Sequence, residues 1–147
     1  MIAILARIRI LSRAQRRLIA EAVAALAVAA LMIALFPFRR VAAHARRLEG
    51  EPAGRAEQLR AIGEVRWAVL AVARRVPWRA KCLEQGFAAQ WMLRRRAVPA
   101  VLHYGVARKD GGLIAHAWVR AGSVDVVGCE NHADFAEIAR FPPETRT

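Results

Sequence analysis

The first part of the chain carries the hydrophobic pattern of α-helices. Residues 18–36 are apolar except for Glu21, which predicts a long helix that a proline ends. Another helix is predicted over residues 82–96, where small residues on one face allow close packing. Residues 58–76 predict an amphipathic helix, whose core-facing row is Ile62, Val65, Val69, Val72 and Val76.

After residue 99 the pattern changes to the period of two that is typical of strands. Strands are predicted over residues 100–107, 113–120 and 124–128, and the glycine-containing stretches between them predict tight turns. Three consecutive strands would form an antiparallel meander packed on the helix of residues 82–96. The tail, residues 133–141, predicts a short helix. The pattern therefore favours an α+β fold.

Length and local composition predict how the chain is organised. The 147 residues suit one domain with a substantial core. Residues 49–57, "EGEPAGRAE", combine glycine, proline and charge, which indicates a linker. It would separate an apolar and basic N-terminal helical region, residues 1–48, from a second domain, residues 58–147.

The chain is basic, with 24 Lys and Arg against 12 Asp and Glu and a net charge of +12. Such a charge favours acidic partners. Nucleic acid is not predicted as a partner, because aromatic residues do not alternate with the basic ones and no helix-turn-helix or zinc-finger pattern is present. The arginines that close the helix at residues 94–96 are predicted to form a solvated helix end.

The apolar stretch of residues 18–36 approaches the length of about 20 residues that crosses a bilayer. Arginine flanks both ends, so positive charge does not define an orientation. The stretch could be a buried helix, a helix lying on a membrane or partner surface, or a membrane span. No signal-peptide cleavage pattern follows it, and two cysteines are too few for a disulfide scaffold. These features predict a cytoplasmic protein that could associate with a membrane.

Cys82 and His116 are the candidate catalytic pair. A cysteine attacks as its thiolate, which a helix N-terminus and a nearby imidazolium both favour. Cys82 begins a predicted helix and His116 lies on a predicted strand next to it. Cysteine hydrolases commonly use this arrangement. On spacing alone, however, both residues could equally be packed core residues. No Cys/His spacing of a metal site is present.

The stretch that contains both residues resembles a known family. Cys-Leu opens a helix that ends in Leu-Arg-Arg-Arg, and His-Ala-Trp follows on a strand. This combination, over residues 58–141, resembles the transglutaminase-like peptidase domain of lasso-peptide B proteins. The N-terminal "LMIALFPFRR" is similar to the stand-alone form of these peptidases. The resemblance implies a transglutaminase-like, papain-like cysteine peptidase fold.

The resemblance also implies roles. Cys82 would be the nucleophile and His116 the general base, later the acid toward the leaving amine. The family's acid lies about a dozen residues after the histidine, where this chain has Gly128. The alternatives for the third member, in order of preference, are Glu130, Asp125 and Asn131.

The implied function is removal of the leader peptide from a lasso-peptide precursor. Implied partners are the precursor peptide, a separate leader-recognition protein and a macrolactam cyclase. ATP involvement is also implied, although the sequence has no phosphate-binding loop. The alternatives are a non-catalytic scaffold of the same fold, a basic membrane-associated adaptor, and a transglutaminase or amidase with another substrate.

Other reactive or aromatic residues are predicted to be structural. Cys129 has no helix start and is predicted to be a packed thiol. His103 is predicted to pack in the core, although it could point at the site. Two histidines are predicted at the surface, His44 and His132. Three tryptophans are predicted in the core, Trp67, Trp91 and Trp118, whereas Trp78 could wall the cleft.

Overall fold

A computed structural model describes residues 2–45 and 50–143. The described residues form five α-helices, α1 Ile2–Ile10, α2 Arg13–Leu35, α3 Phe38–Ala43, α4 Arg55–Ala73 and α5 Cys82–Arg94. Four strands follow, β1 Val101–Lys109, β2 Gly112–Ala121, β3 Val124–Val127 and β4 Ala136–Phe141. A 3-10 turn, His132–Asp134, lies between β3 and β4. The order of helices and then strands confirms the predicted α+β class.

The four strands form one sheet in the order β3-β2-β1-β4, with antiparallel neighbours. The predicted meander of three strands is confirmed. The predicted short helix over residues 133–141 is wrong, because residues 136–141 form β4. That segment contains good helix formers, but its pairing with β1 provides partners for backbone groups that would otherwise lie at an open sheet edge.

One hydrophobic core joins the helices to one face of the sheet. Leu26 of α2, Val69 of α4 and Phe87 of α5 are fully buried in it. Gly86 lets α5 approach the sheet, since a Cβ there would lie 2.5 Å from Leu102 Cδ1. The core therefore draws on both sides of the predicted linker, and residues 55–57 of that linker belong to α4.

The surroundings of two side chains on or next to the helices, Trp67 and Arg96, differ from prediction. Trp67, predicted in the core, is 41% exposed on α4. The arginine run at the end of α5 is more than a solvated helix end, because Arg96 binds Glu21 of α2 with both guanidinium Nη atoms, at 2.8 and 2.6 Å. This pair fastens α2 to α5 at the one acidic position of the apolar helix. The hydrogen bond from Arg96 is the main cause that lowers the pKa of Glu21.

We expect Arg96→Gln to lower the free energy of unfolding by about 1–3 kcal/mol, because it leaves a half-buried carboxylate without its partner. The lowered pKa of Glu21 means that the pair stabilises fully above the ordinary glutamate pKa of about 4.3. That stabilisation is lost as the pH falls through the lowered value. Urea unfolding at several pH values measures both effects.

The neighbouring Arg95 provides the matched control for this prediction. Its Nε lies 3.8 Å from Glu21 and its side chain is 74% exposed. Arg95→Gln should therefore change the free energy of unfolding by less than about 0.5 kcal/mol. Equal effects of the two substitutions would show that the Arg96 pair does not hold α2 to α5.

Candidate active site

Cys82 is the first residue of α5. The preceding turn is held by Glu84, whose buried carboxylate accepts a hydrogen bond from the Lys81 backbone N–H at 3.2 Å. Arg79 Nε lies 3.2 Å from the other oxygen of Glu84. Sequence reasoning missed this residue, although a glutamate three positions after a helix cap is a known capping signal. Glu84 thereby fixes the backbone of Lys81, the residue directly before Cys82.

The Cys82 side chain is partly buried and packs against the core. The unpaired backbone N–H groups of the first turn give this end of α5 a partial positive charge. Such a charge stabilises an anion placed next to it, whether a thiolate or the oxyanion of an attacked carbonyl. Cys82 therefore occupies a position suited to nucleophilic attack.

His116 lies on β2, opposite Gly105 of β1. Its Nε2 is 2.6 Å from the carbonyl oxygen of Gly128. A carbonyl only accepts hydrogen bonds, so Nε2 carries the proton and donates it. In the neutral ring Nδ1 then has the free lone pair. The imidazole is thus held in the tautomer in which Nδ1 can take a proton from a thiol.

Gly128 follows β3 directly and adopts a left-handed conformation, with φ of 74°. A Cβ at this position would lie 2.6 Å from the carbonyl oxygen of Ala117. The backbone can therefore approach β2 closely enough to reach His116 only because residue 128 is a glycine. This is the position at which the family resemblance implies an acid. A peptide carbonyl stands there in place of a carboxylate.

Cys82 and His116 belong to elements that pack together, since α5 lies against β2. The contact is made by the face of β2 that carries Val119, which would lie 3.6 Å from a Cβ on Gly86. Alternation along the strand places His116 and Trp118 on the opposite face. Within residues 2–45 and 50–143, no hydrogen bond joins Cys82 Sγ to the His116 ring.

The candidates for a third catalytic residue lie elsewhere. Asp125 accepts a hydrogen bond from Arg120 Nε at 2.8 Å, at the far end of the β2–β3 hairpin. Glu130 is 67% exposed and lies 3.5 Å from Arg66 of α4. Asn131 is exposed at the start of the 3-10 turn. The structure brings none of the three into hydrogen-bond contact with His116.

We therefore expect Glu130→Gln and Asp125→Asn to change the rate of Cys82 alkylation by less than about twofold, because both carboxylates are exposed and paired with arginines. The rate is measured with iodoacetamide in a Cys129→Ala background, so that a single thiol reports. A much slower rate in Glu130→Gln alone would instead identify that carboxylate as the partner of His116.

Four imidazole and indole rings form a cluster on the His116 face of the sheet. Trp118 is buried, and the rings of His103 and His116 stack on it with centroid distances of 5.5 and 6.1 Å. His132, predicted at the surface, is partly buried and lies 5.7 Å from Trp118, because its Nδ1 donates to the Cys129 carbonyl. Phe135 covers His116 at 4.9 Å.

A cleft of about 830 Å³ opens beside this cluster. Trp118 contributes to its lining, and its polar side chains are Gln90, Arg94, His103, Arg120, His132, Glu137 and Arg140. Burial raises the pKa of Glu137, but the hydrogen bonds from His103 and Arg140 outweigh it and leave the pKa lowered. Trp118 lines the cleft and also stacks with the His116 ring, but neither His116 nor Cys82 lines the cleft itself. The cleft is therefore a candidate substrate site beside the ring cluster, and not around the cysteine.

Cys129 is buried, as predicted, and its thiol donates a hydrogen bond to the Val119 carbonyl at 3.2 Å. Burial is the main cause that raises the pKa of the Cys129 thiol. A buried, protonated thiol is a poor nucleophile. Cys129 therefore packs in the structure and does not compete with Cys82.

Among the described residues, no three His, Cys, Asp or Glu side chains come together in a group that could hold a metal ion. In the same residues no glycine-rich loop leads from a strand into an α-helix, so the phosphate cradle that ATP would need is not formed. No step of the reaction proposed below uses ATP.

The family model described as "Transglutaminase-like superfamily" matches residues 22–140. The match includes α2 from its third turn, both candidate catalytic residues and nearly all of β4. No curated protein and no solved structure is significantly similar to the chain.

Proposed function

The chain belongs to the transglutaminase-like superfamily, and we propose that it is a cysteine peptidase that removes the leader peptide from a lasso-peptide precursor. Two observations support this proposal: Cys82 is the first residue of a helix, and the tautomer of His116 is held by a backbone carbonyl. The superfamily includes cysteine peptidases, and the leader-peptidase role rests on the Cys-Leu and His-Ala-Trp motifs.

In the proposed reaction, the Cys82 thiol gives its proton to Nδ1 of His116 and the sulfur attacks the carbonyl carbon of the scissile peptide bond. Backbone N–H groups at the start of α5 stabilise the resulting oxyanion. The imidazolium then protonates the leaving amine as the C–N bond breaks. Water, deprotonated by Nδ1, hydrolyses the thioester, which releases the leader with a new carboxylate and restores the thiol.

The Gly128 carbonyl performs part of the work of a triad acid. It holds the imidazole with the proton on Nε2, as an orienting amide or carboxylate would. A neutral carbonyl stabilises the imidazolium less than a carboxylate does, so we expect a slower enzyme than one with a complete triad. The described structure shows no hydrogen-bond contact between Cys82 Sγ and His116 Nδ1, so the proposed reaction requires that substrate binding bring these two atoms together.

The proposed partners are the precursor peptide, a separate leader-recognition protein and a macrolactam cyclase. The motif resemblance supports all three. The net charge of +12 and the arginines of the cleft also suit a precursor with acidic residues.

The test is cleavage of a lasso-peptide precursor in the presence of a leader-recognition protein, followed by mass spectrometry. We expect a single cut at the leader–core junction. Cys82→Ala should abolish the cut, and Cys129→Ala should leave it intact. Cleavage that persists in Cys82→Ala would refute the proposal.

A non-catalytic scaffold is the second candidate, favoured by the glycine at the acid position and by the absence of a hydrogen bond between Cys82 Sγ and His116 in the described residues. A scaffold would bind the precursor complex equally well with Cys82→Ala and would support processing by another peptidase. No cleavage by the purified wild type, together with slow alkylation of Cys82, would favour this candidate.

A further inference from the structure

An apolar surface on α2 has no partner in the described structure. It consists of Val23, Val28, Leu31, Leu35 and the adjoining Phe36, here called the docking face, whose side chains are 36 to 65% exposed. Contiguous exposed apolar surface on a soluble domain commonly marks an interaction site. The docking face therefore needs an explanation that the core does not supply.

The opposite side of α2 is already used. Leu18, Ala22, Leu26 and Ala29 are buried against α4 and α5 at helical spacing. A surface helix normally presents polar residues on its outer side. Here the only acidic residue of α2, Glu21, turns toward Arg96 instead. From residue 18 to residue 36 the outer side of α2 is thus entirely apolar.

Arginines border the docking face at both ends. Arg13 lies 18 residues before Leu31, and Arg17 lies 18 residues before Leu35. Because 18 residues make about five helical turns, each arginine lies on the same side of α2 as its leucine. Arg39 and Arg40 lie just beyond Phe36. All four arginine side chains are exposed, and in residues 2–45 and 50–143 none of them forms an ion pair. An apolar strip with a cationic border complements an anionic lipid surface.

The adjoining helix α1 has the same character. Its described side chains are all exposed and combine large apolar residues with Arg7 and Arg9. Leu5 is 59% exposed and Ile10 is 83% exposed. Both N-terminal helices therefore expose apolar and cationic side chains.

By length and composition α2 could cross a membrane, since its most apolar window has a mean hydropathy of 2.5. A span would require that Leu26 and its buried neighbours leave the core and that the Glu21–Arg96 pair break. Lying flat on the membrane needs neither change. We propose that the docking face of α2 binds the surface of an anionic lipid bilayer, with the helix axis parallel to the membrane plane.

The test is co-sedimentation of the full chain with vesicles of phosphatidylcholine alone or mixed with phosphatidylglycerol. We expect binding to the mixed vesicles only, and weakening as salt is added, because the arginines bind lipid phosphates. Leu31→Glu with Leu35→Glu should weaken binding at least about tenfold. Arg13→Gln with Arg17→Gln should weaken binding and reduce its salt dependence.

The matched control is Leu113→Glu with Ile138→Glu. These residues are 72% and 60% exposed on the sheet, so the pair makes the same charge change on equally exposed apolar positions. Binding should change by less than about twofold. Far-UV circular dichroism checks that each variant is folded.

Four outcomes would overturn the proposal. The first two are that the protein binds neither kind of vesicle, or that it binds neutral and anionic vesicles equally. The third is that the two glutamate double variants lose vesicle binding to the same extent. The fourth is that the bound protein resists alkaline carbonate extraction, which indicates a membrane span. If Leu31→Glu with Leu35→Glu kept vesicle binding but lost the leader-recognition protein, the docking face would be a protein interface instead. None of these readouts depends on peptidase activity.

Discussion

His116→Ala should slow the alkylation of Cys82 by iodoacetamide at about pH 6 by at least about tenfold. The thiolate is the reactive species, and in the proposed pair an imidazolium brought next to the sulfur stabilises it. The helix start alone stabilises the thiolate less, because a helix terminus carries only about half an elementary charge. The measurement uses a Cys129→Ala background and follows the modified mass with time between about pH 5 and 9.

His103→Ala is the matched control. His103 stacks on Trp118 from β1 and bonds to Glu137, so its removal disturbs the same ring cluster without removing His116. We expect this variant to keep the wild-type rate within about twofold. Equal slowing by both substitutions would mean that the cluster supports the fold around Cys82. A wild-type rate in His116→Ala would mean that the two residues do not act as a pair.

Gly128→Ala should be the most damaging single-methyl change in the sheet, lowering the free energy of unfolding by about 3 kcal/mol or more. Two costs add. The left-handed conformation with φ of 74° disfavours any residue with a Cβ, by about 1–2 kcal/mol. The new methyl would also lie 2.6 Å from the Ala117 carbonyl oxygen, a backbone atom that cannot rotate away. Urea unfolding measures the sum.

Gly122→Ala separates the two costs. Gly122 also has a positive φ, 59°, but a Cβ there would meet no atom within 4 Å. It should therefore show only the conformational cost of about 1–2 kcal/mol. Equal destabilisation by the two alanines would show that residue 128 does not press against β2.

Gly128→Ala has a second readout under conditions where the variant remains folded. If the loop moves away from β2, the Gly128 carbonyl no longer holds His116 Nε2, and Cys82 alkylation at about pH 6 should slow as it does in His116→Ala. Gly122→Ala should leave that rate unchanged. A folded Gly128→Ala with unchanged alkylation would contradict the orienting role of the carbonyl.

The parts of the fold that depend on local pattern could be predicted from the sequence. The three-strand meander and four of the five predicted core-facing residues of α4 follow from periods of two and 3.6. The fifth, Val76, lies beyond the end of α4. The fourth strand could not be predicted, because residues 136–141 combine helix formers with only a weak alternation of apolar and polar positions. Pairing with β1, which the local sequence does not show, makes this segment a strand. The Arg96–Glu21 pair joins residues 75 positions apart, and no local pattern contains that separation.

The site divides in the same way. Cys82 at a helix start and His116 on a neighbouring strand could be predicted from residue type and period, aided by the resemblance. The partner of His116 could not be predicted, because residue type and spacing indicate side chains, whereas the structure provides a main-chain oxygen at Gly128. The sequence contained one indication of it. A glycine twelve positions after the histidine is what a close backbone approach requires.

The choice of a peptide carbonyl as the partner of His116 also affects how the site responds to acid. A carboxylate partner becomes protonated as the pH falls, and the imidazole then loses the acceptor that orients it. The Gly128 carbonyl does not titrate, so the Nε2 hydrogen bond remains at every pH at which the fold is intact. The orientation of His116 therefore does not depend on the protonation state of its hydrogen-bond partner.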